Sequence, residues 1–136
     1  MRYGLSVHGL IFRNRAMRVA AELNHPLIAV QGRRKATNAA APPITRLIGP
    51  SSHATGAIIQ TVKRSEDGQA IIFRLYESTG APRKIDILFG FPVEAAHKTD
   101  LHEKVTEEIK LRADGQTIDL PLRPFEIVTL RVVPKK

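Results

Sequence analysis

The sequence predicts an all-β chain, an antiparallel β-sandwich with a short N-terminal helix or helical turn. Three observations carry this. From Ala57 onward, short apolar-alternating segments follow one another at strand length. Gly-containing turn signals separate them, Asp67-Gly68 and Asp114-Gly115 being the strongest. No alternation with long helical segments occurs, which argues against a parallel α/β sheet.

The elements follow in order. Arg2 to Leu10 alternates loosely, with Tyr3, Leu5 and Val7 on one face, and reads as a strand. Phe12 to Leu23 places Ala16, Val19, Ala20 and Leu23 at helical spacing ahead of Asn24 and Pro26. Pro26 to Val30 is a brief apolar strand. Residues 32–56 hold Pro42, Pro43 and Pro50, the basic run Arg33-Arg34-Lys35 and many small residues. They read as a long irregular connection with one short strand near Ile44 to Ile48. Then come strands at Ala57–Lys63, Ala70–Tyr76, Lys84–Phe89, Phe91–Ala96, Val105–Leu111, Thr117–Leu122 and Phe125–Val133. Pro124 suits the first position of the last strand, where a missing donor matters little. Spacing and turn signals together predict a sandwich of the two-sheet kind.

At 136 residues, the chain fits one domain, 1–136. A domain of this length can bury roughly two thirds of its unfolded surface. Hydrophobic residues make up 43% and charged residues 25%, as in ordinary globular proteins. No apolar run approaches the ~18 residues that span a bilayer. Met1 to Leu10 carries no continuous apolar stretch and no small-residue cleavage site, so the expectation is a cytoplasmic protein with no membrane partner. With no cysteine, disulfides, thiolate nucleophiles and zinc–thiolate sites are excluded. The net charge of +8 raises nucleic acid as a partner. Charge alone marks no groove-reading element, and no exposed aromatic platform can be assembled amid it, so that reading is disfavoured.

Candidate chemistry is sparse. His8, His25, His53, His97 and His102 form no ligand-spaced pair; Asp100 and His102 could share a face, but no further ligand is in register. Ser51-Ser52-His53 lacks an orienting third group. No phosphate-cradling glycine loop and no nucleophile elbow occur. Catalytic, cofactor-binding and metal residues are therefore expected to be absent. Most acidic residues sit in turns or on solvated faces. Glu77 and Glu126 differ, each lying beside an apolar strand and near an arginine, Arg74 and Arg123 respectively. They read as structural ion pairs or as carboxylates bonded to backbone amides at strand ends.

Three segments in order carry a resemblance: Val62-Lys63-Arg64-Ser65-Glu66-Asp67-Gly68, Phe73-Arg74-Leu75-Tyr76-Glu77-Ser78-Thr79-Gly80, and Leu122-Arg123-Pro124-Phe125-Glu126-Ile127-Val128-Thr129-Leu130-Arg131-Val132. Together with Thr99-Asp100-Leu101, Tyr3 to His8 and Ala21 to Leu27, they resemble the C-terminal β-region of glycoside hydrolase family 38 α-mannosidases. The resemblance implies an accessory sandwich supporting a catalytic barrel, and bordering the outer sugar site, in an enzyme that hydrolyses α-mannosides. The zinc and the carboxylate nucleophile belong to that barrel, which has no counterpart here. No catalytic residue carries over, and the chain alone is expected to be inactive. Met1 falls where the resemblance places the middle of a strand, so the chain is expected to be a C-terminal fragment of a larger enzyme. The implied partner is the barrel, in cis or in trans. The alternatives are an independent carbohydrate-binding or protein-interaction sandwich, which would form homo-oligomers through an exposed barrel-facing patch, and a basic nucleic-acid binder.

Overall fold

A computed structural model describes residues 56–135, the strand Thr45–Ile48, and the helical positions Ala16, Val19, Ala20, Leu23 and Asn24. The first four lie in the Phe12 to Leu23 stretch for which the sequence predicts a helix, and Asn24 follows directly after it. The expected strands Arg2 to Leu10 and Pro26 to Val30 lie outside the described residues, as do His8, His25, His53 and the Arg33-Arg34-Lys35 run. The chain divides into two compact units, Met1–Ala41 and Pro42–Lys136. The division falls inside the proline-bearing connection.

The second unit contains β1 (Thr45–Ile48), β2 (Ala57–Arg64), β3 (Ile71–Glu77), β4 (Arg83–Phe89), β5 (Val93–Thr99), β6 (Val105–Ile109), β7 (Thr117–Leu122) and β8 (Ile127–Pro134). All pair antiparallel, in a three-stranded sheet β1-β4-β7 and a five-stranded sheet β2-β3-β8-β5-β6. Strand β8 occupies the centre of the larger sheet, with Phe73 opposite Leu130 on one side and Ala96 opposite Val132 on the other.

Alternation explains the layering. In β4 the buried set is Ile85, Ile87 and Phe89, and in β7 it is Ile118, Leu120 and Leu122. The larger sheet answers with Phe73, Leu75, Val128, Leu130 and Val132, and all of these side chains form one apolar core. Phe89 sits between Phe73 and Phe91, at ring-centroid distances of 5.3 and 5.8 Å with tilted planes, a geometry that suits the aromatic quadrupole. Pro121 falls in β7, an edge strand, where the lost donor disrupts no second ladder.

Turn chemistry fixes the hairpins. Ser65 is buried; its hydroxyl donates to Asp67 Oδ1 at 2.6 Å and accepts from Ala70 N at 2.9 Å, closing the β2–β3 turn. Asp114 accepts from Gln116 N and Thr117 N at 2.9 Å each, closing the approach to β7.

The last strand begins later than the sequence predicts. Phe125 lies outside β8 and takes a left-handed φ of 58°. Pro124 likewise belongs to a turn, Arg123 to Glu126, closed by Glu126 N donating to Arg123 O at 3.1 Å. Proline at the second position and positive φ at the third match a type II turn, where glycine is the usual third residue.

Candidate functional site: a clamped loop edge

Three loop segments meet at the end of the sandwich where β3 finishes and β8 starts: Gly56, residues 78–82 and residues 123–126. Glu77, at the last position of β3, joins them. Its side chain has no exposed surface. Oε1 accepts from Thr79 N at 2.8 Å, from the Thr79 hydroxyl and from Arg83 Nε at 3.3 Å. Oε2 accepts from Gly80 N at 2.7 Å and Phe125 N at 3.1 Å. The backbone adds Glu77 N to Glu126 O at 2.9 Å and Ser78 N to Gly56 O at 2.7 Å.

Two glycines make room for this packing. A Cβ at Gly56 would lie 2.3 Å from Arg83 Nε, and one at Gly80 would lie 2.5 Å from Phe125 Cζ. Both have positive φ, 61° and 76°, which glycine adopts without steric penalty.

Electrostatics follow from this geometry. Burial pushes the Glu77 carboxyl up, but hydrogen bonds from Thr79, Phe125 N and Gly80 N outweigh it and hold it at about 2. Glu126 is also held low, chiefly by the Arg123 backbone amide at 2.7 Å. Both carboxylates are ionised and filled with donors, an arrangement suited to scaffolding rather than to proton transfer at neutral pH. The folded value of Glu77 lies below its ordinary 4.5. Its contribution to stability is therefore complete above about pH 5 and is lost as pH falls through about 2. Acid titration of the folded chain should show Glu77 remaining ionised well below the other glutamates, measured by carboxyl carbon shifts.

The sequence-selected arginines fall in different places. Arg123 Nη2 lies 3.2 Å from Glu126 Oε1. Arg74 does not meet Glu77: its Nε donates to Thr129 Oγ1 at 3.4 Å, because Arg74 and Glu77 are an odd number of residues apart and leave the strand on opposite faces. The partner of Glu77 is Arg83. Only the connection through Gly80, which carries the chain from β3 in the larger sheet to β4 in the smaller one, places it there. Asp100 Oδ1 caps its own turn by accepting from His102 N and Lys104 N at 2.9 Å each. His97 belongs to β5.

The outer surface of this edge is apolar. Phe125 is 69% exposed and Ile127 64%. Leu101, 69% exposed, lines one groove with Ile127. Elsewhere, charge is locally balanced. Asp86 faces Asp119 across β4 and β7, and Arg112 bridges both at 2.8 and 2.5 Å. Lys63 meets Glu103 at 2.7 Å, and Arg131 meets Asp67 at 2.6 Å. Residues 56–135 carry as many acidic as basic side chains, so the excess positive charge of the chain belongs to the rest of the sequence.

The model of the glycosyl hydrolases family 38 C-terminal beta sandwich domain matches residues 56–130. The chain belongs to this family. The match runs from the clamp's Gly56 to β8 and so covers both loops that Glu77 ties together. The match makes the sandwich an accessory domain of a glycoside hydrolase family 38 enzyme. No curated protein matches the chain. Among the described residues no helix is long and apolar enough to cross a membrane, and no group of three His, Asp or Glu side chains could hold a metal ion.

Proposed function

We propose that this domain is the accessory sandwich of a cytoplasmic α-mannosidase and that it docks the catalytic barrel through the edge formed by Phe125, Ile127 and the loops joined at Glu77. One observation carries the docking: a large apolar ring is held exposed on a left-handed backbone. A non-glycine residue there costs roughly 1–2 kcal/mol, and glycine would make the same turn without that cost. Strain of this kind, at an exposed aromatic, points to a task for the ring. Buried aromatic anchors dominate interface energetics, and a rigid presenting loop lowers the cost of ordering on association. The described residues do not fit a zinc centre, so the metal of the proposed enzyme would be held by the barrel. The chain alone is then inactive towards α-mannosides.

The test is association of the full chain with a family 38 barrel from the same cell, followed by sedimentation. Phe125→Gly should weaken association by roughly tenfold or more while leaving the lone chain as stable as before or more so. Unchanged association, or mannoside hydrolysis by the lone chain, defeats the proposal.

A further inference from the structure

Beside the clamped edge, a groove of about 560 Å³ opens between the start of β4, the end of β7 and the Arg123–Glu126 turn. Pro82, Pro121 and the buried Leu122 give it an apolar lining. Its charged lining is one-sided. Arg83, Lys84, Lys98 and Arg123 reach it from three segments of the chain, against the single carboxylate of Glu126. Lys84 and Arg123 stand well into solvent, with side chains 67% and 85% exposed, whereas that of Lys98 is largely covered.

Each of these cations already meets a carboxylate, which by count alone would leave the groove neutral. The position of those carboxylates decides otherwise. Glu77, which holds Arg83, has no exposed surface. Asp119 meets Lys84 at 3.1 Å and Glu107 meets Lys98 at 3.3 Å, yet both carboxylates line the neighbouring groove between β6 and β7 and not this one. Glu126 is engaged by its own turn: Oε2 accepts from Arg123 N at 2.7 Å and Oε1 from Arg123 Nη2 at 3.2 Å. The positive ends therefore face this groove while most of the compensating charge faces elsewhere. Exposed pairs of this kind are weak. An ammonium carries three donors and a guanidinium five, so one carboxylate does not exhaust either.

We infer that this groove takes an acidic segment of a protein partner, whose Asp or Glu side chains meet Lys84, Lys98 and Arg123. The groove is continuous with the proposed docking edge through the Arg123–Glu126 turn, which carries Phe125. In such an arrangement the aromatic anchor supplies affinity, and the charges at its rim steer the encounter and fix its register. The partner surface that receives Phe125 is then flanked by carboxylates. That identity of the partner rests on the docking reading, whereas the preference of the groove for an acidic peptide does not. Its apolar lining holds no aromatic ring on which a base could stack, which favours a peptide over a nucleic acid.

The experiment is an amide-shift titration of the full chain with capped hexaglutamate, and in parallel with capped hexaglutamine and with hexathymidylate. The expected result is saturable shifts with hexaglutamate alone, centred on Arg83, Lys84, Lys98, Leu122 and Arg123. They should weaken as salt rises, because exposed charges are screened. The double variant Lys84→Ala with Arg123→Ala should weaken the binding by about fivefold or more. Lys104→Ala with Lys110→Ala removes as much charge from exposed positions outside the groove and should leave the binding unaltered. No saturable shift, shifts centred elsewhere, an equal response to hexaglutamine or hexathymidylate, or equal weakening by the two double variants overturns the inference. Barrel association is not read in these titrations, so docking through Phe125 stands or falls apart from them.

Discussion

Glu77→Gln is expected to destabilise the sandwich by about 3 kcal/mol, the range for breaking a buried, hydrogen-bonded charge pair. The reason lies in the count of donors. Oε1 and Oε2 receive only donors, from Thr79, Gly80, Arg83 and Phe125. A glutamine amide keeps one acceptor oxygen and adds an NH2 group. Either orientation sets that NH2 against backbone N–H groups and leaves buried donors unpaired. Urea unfolding should show a lower midpoint with an unchanged slope. The deficit should shrink in acid, because the wild-type carboxylate loses its own advantage as pH falls from about 5 toward about 2. A loss below 1 kcal/mol would mean that the loops hold each other without the clamp.

Phe89→Ala should cost more, about 3–5 kcal/mol. Phe89 has no exposed surface and lies at the core between Phe73 and Phe91. Truncation removes its buried area and two aromatic contacts, and leaves a cavity between sheets whose β-strands cannot close in without breaking ladder register. Denaturant midpoints measure this directly. Phe91→Ala is a useful control, since Phe91 is only partly buried at the core's margin, and its loss should be distinctly smaller.

Much of the sandwich was legible in the sequence because its strands are half-buried. Ile85, Ile87 and Phe89 alternate with Lys84 and Asp86, and this pattern places both the element and its inner face. Thr117–Leu122 was legible to the residue for the same reason. Boundaries slipped where chemistry replaced periodicity. Phe125 continues the apolar run of Ile127 and Val128, so alternation extends the strand through it, while the Arg123–Glu126 turn is decided by a proline and a carboxylate–amide bond. Arg-Pro-Phe-Glu held the turn signal at its proline, yet type II turns are usually read from a glycine that is not there. The site was half legible. Glu77 and Glu126 stood out as carboxylates beside apolar strands, but the contacts of Glu77 to Phe125 N and Arg83 arise from β8 pairing with β3 and from the chain crossing to β4 in the other sheet. Spacing along the chain does not encode that approach. The cationic groove was invisible for a related reason: Lys84, Lys98 and Arg123 are ordinary surface charges until the fold brings them to one place.

The central place of β8 sets a schedule for the ribosome. Strands β2 and β3 form a local hairpin, as do β5 and β6, yet the two hairpins do not touch edge to edge; Ile127–Pro134 lies between them. All other described strands are synthesised first, so the nascent chain holds two open edges flanking an empty lane until its last described strand emerges. Closing that lane pairs residues far apart in sequence, such as Ile71 with Val132, and such pairings are slow to form. Until then, the apolar faces of β3 and β5 are exposed to other nascent chains and to chaperones. Emergence of Ile127–Pro134 should therefore be the moment at which this sandwich becomes resistant to protease.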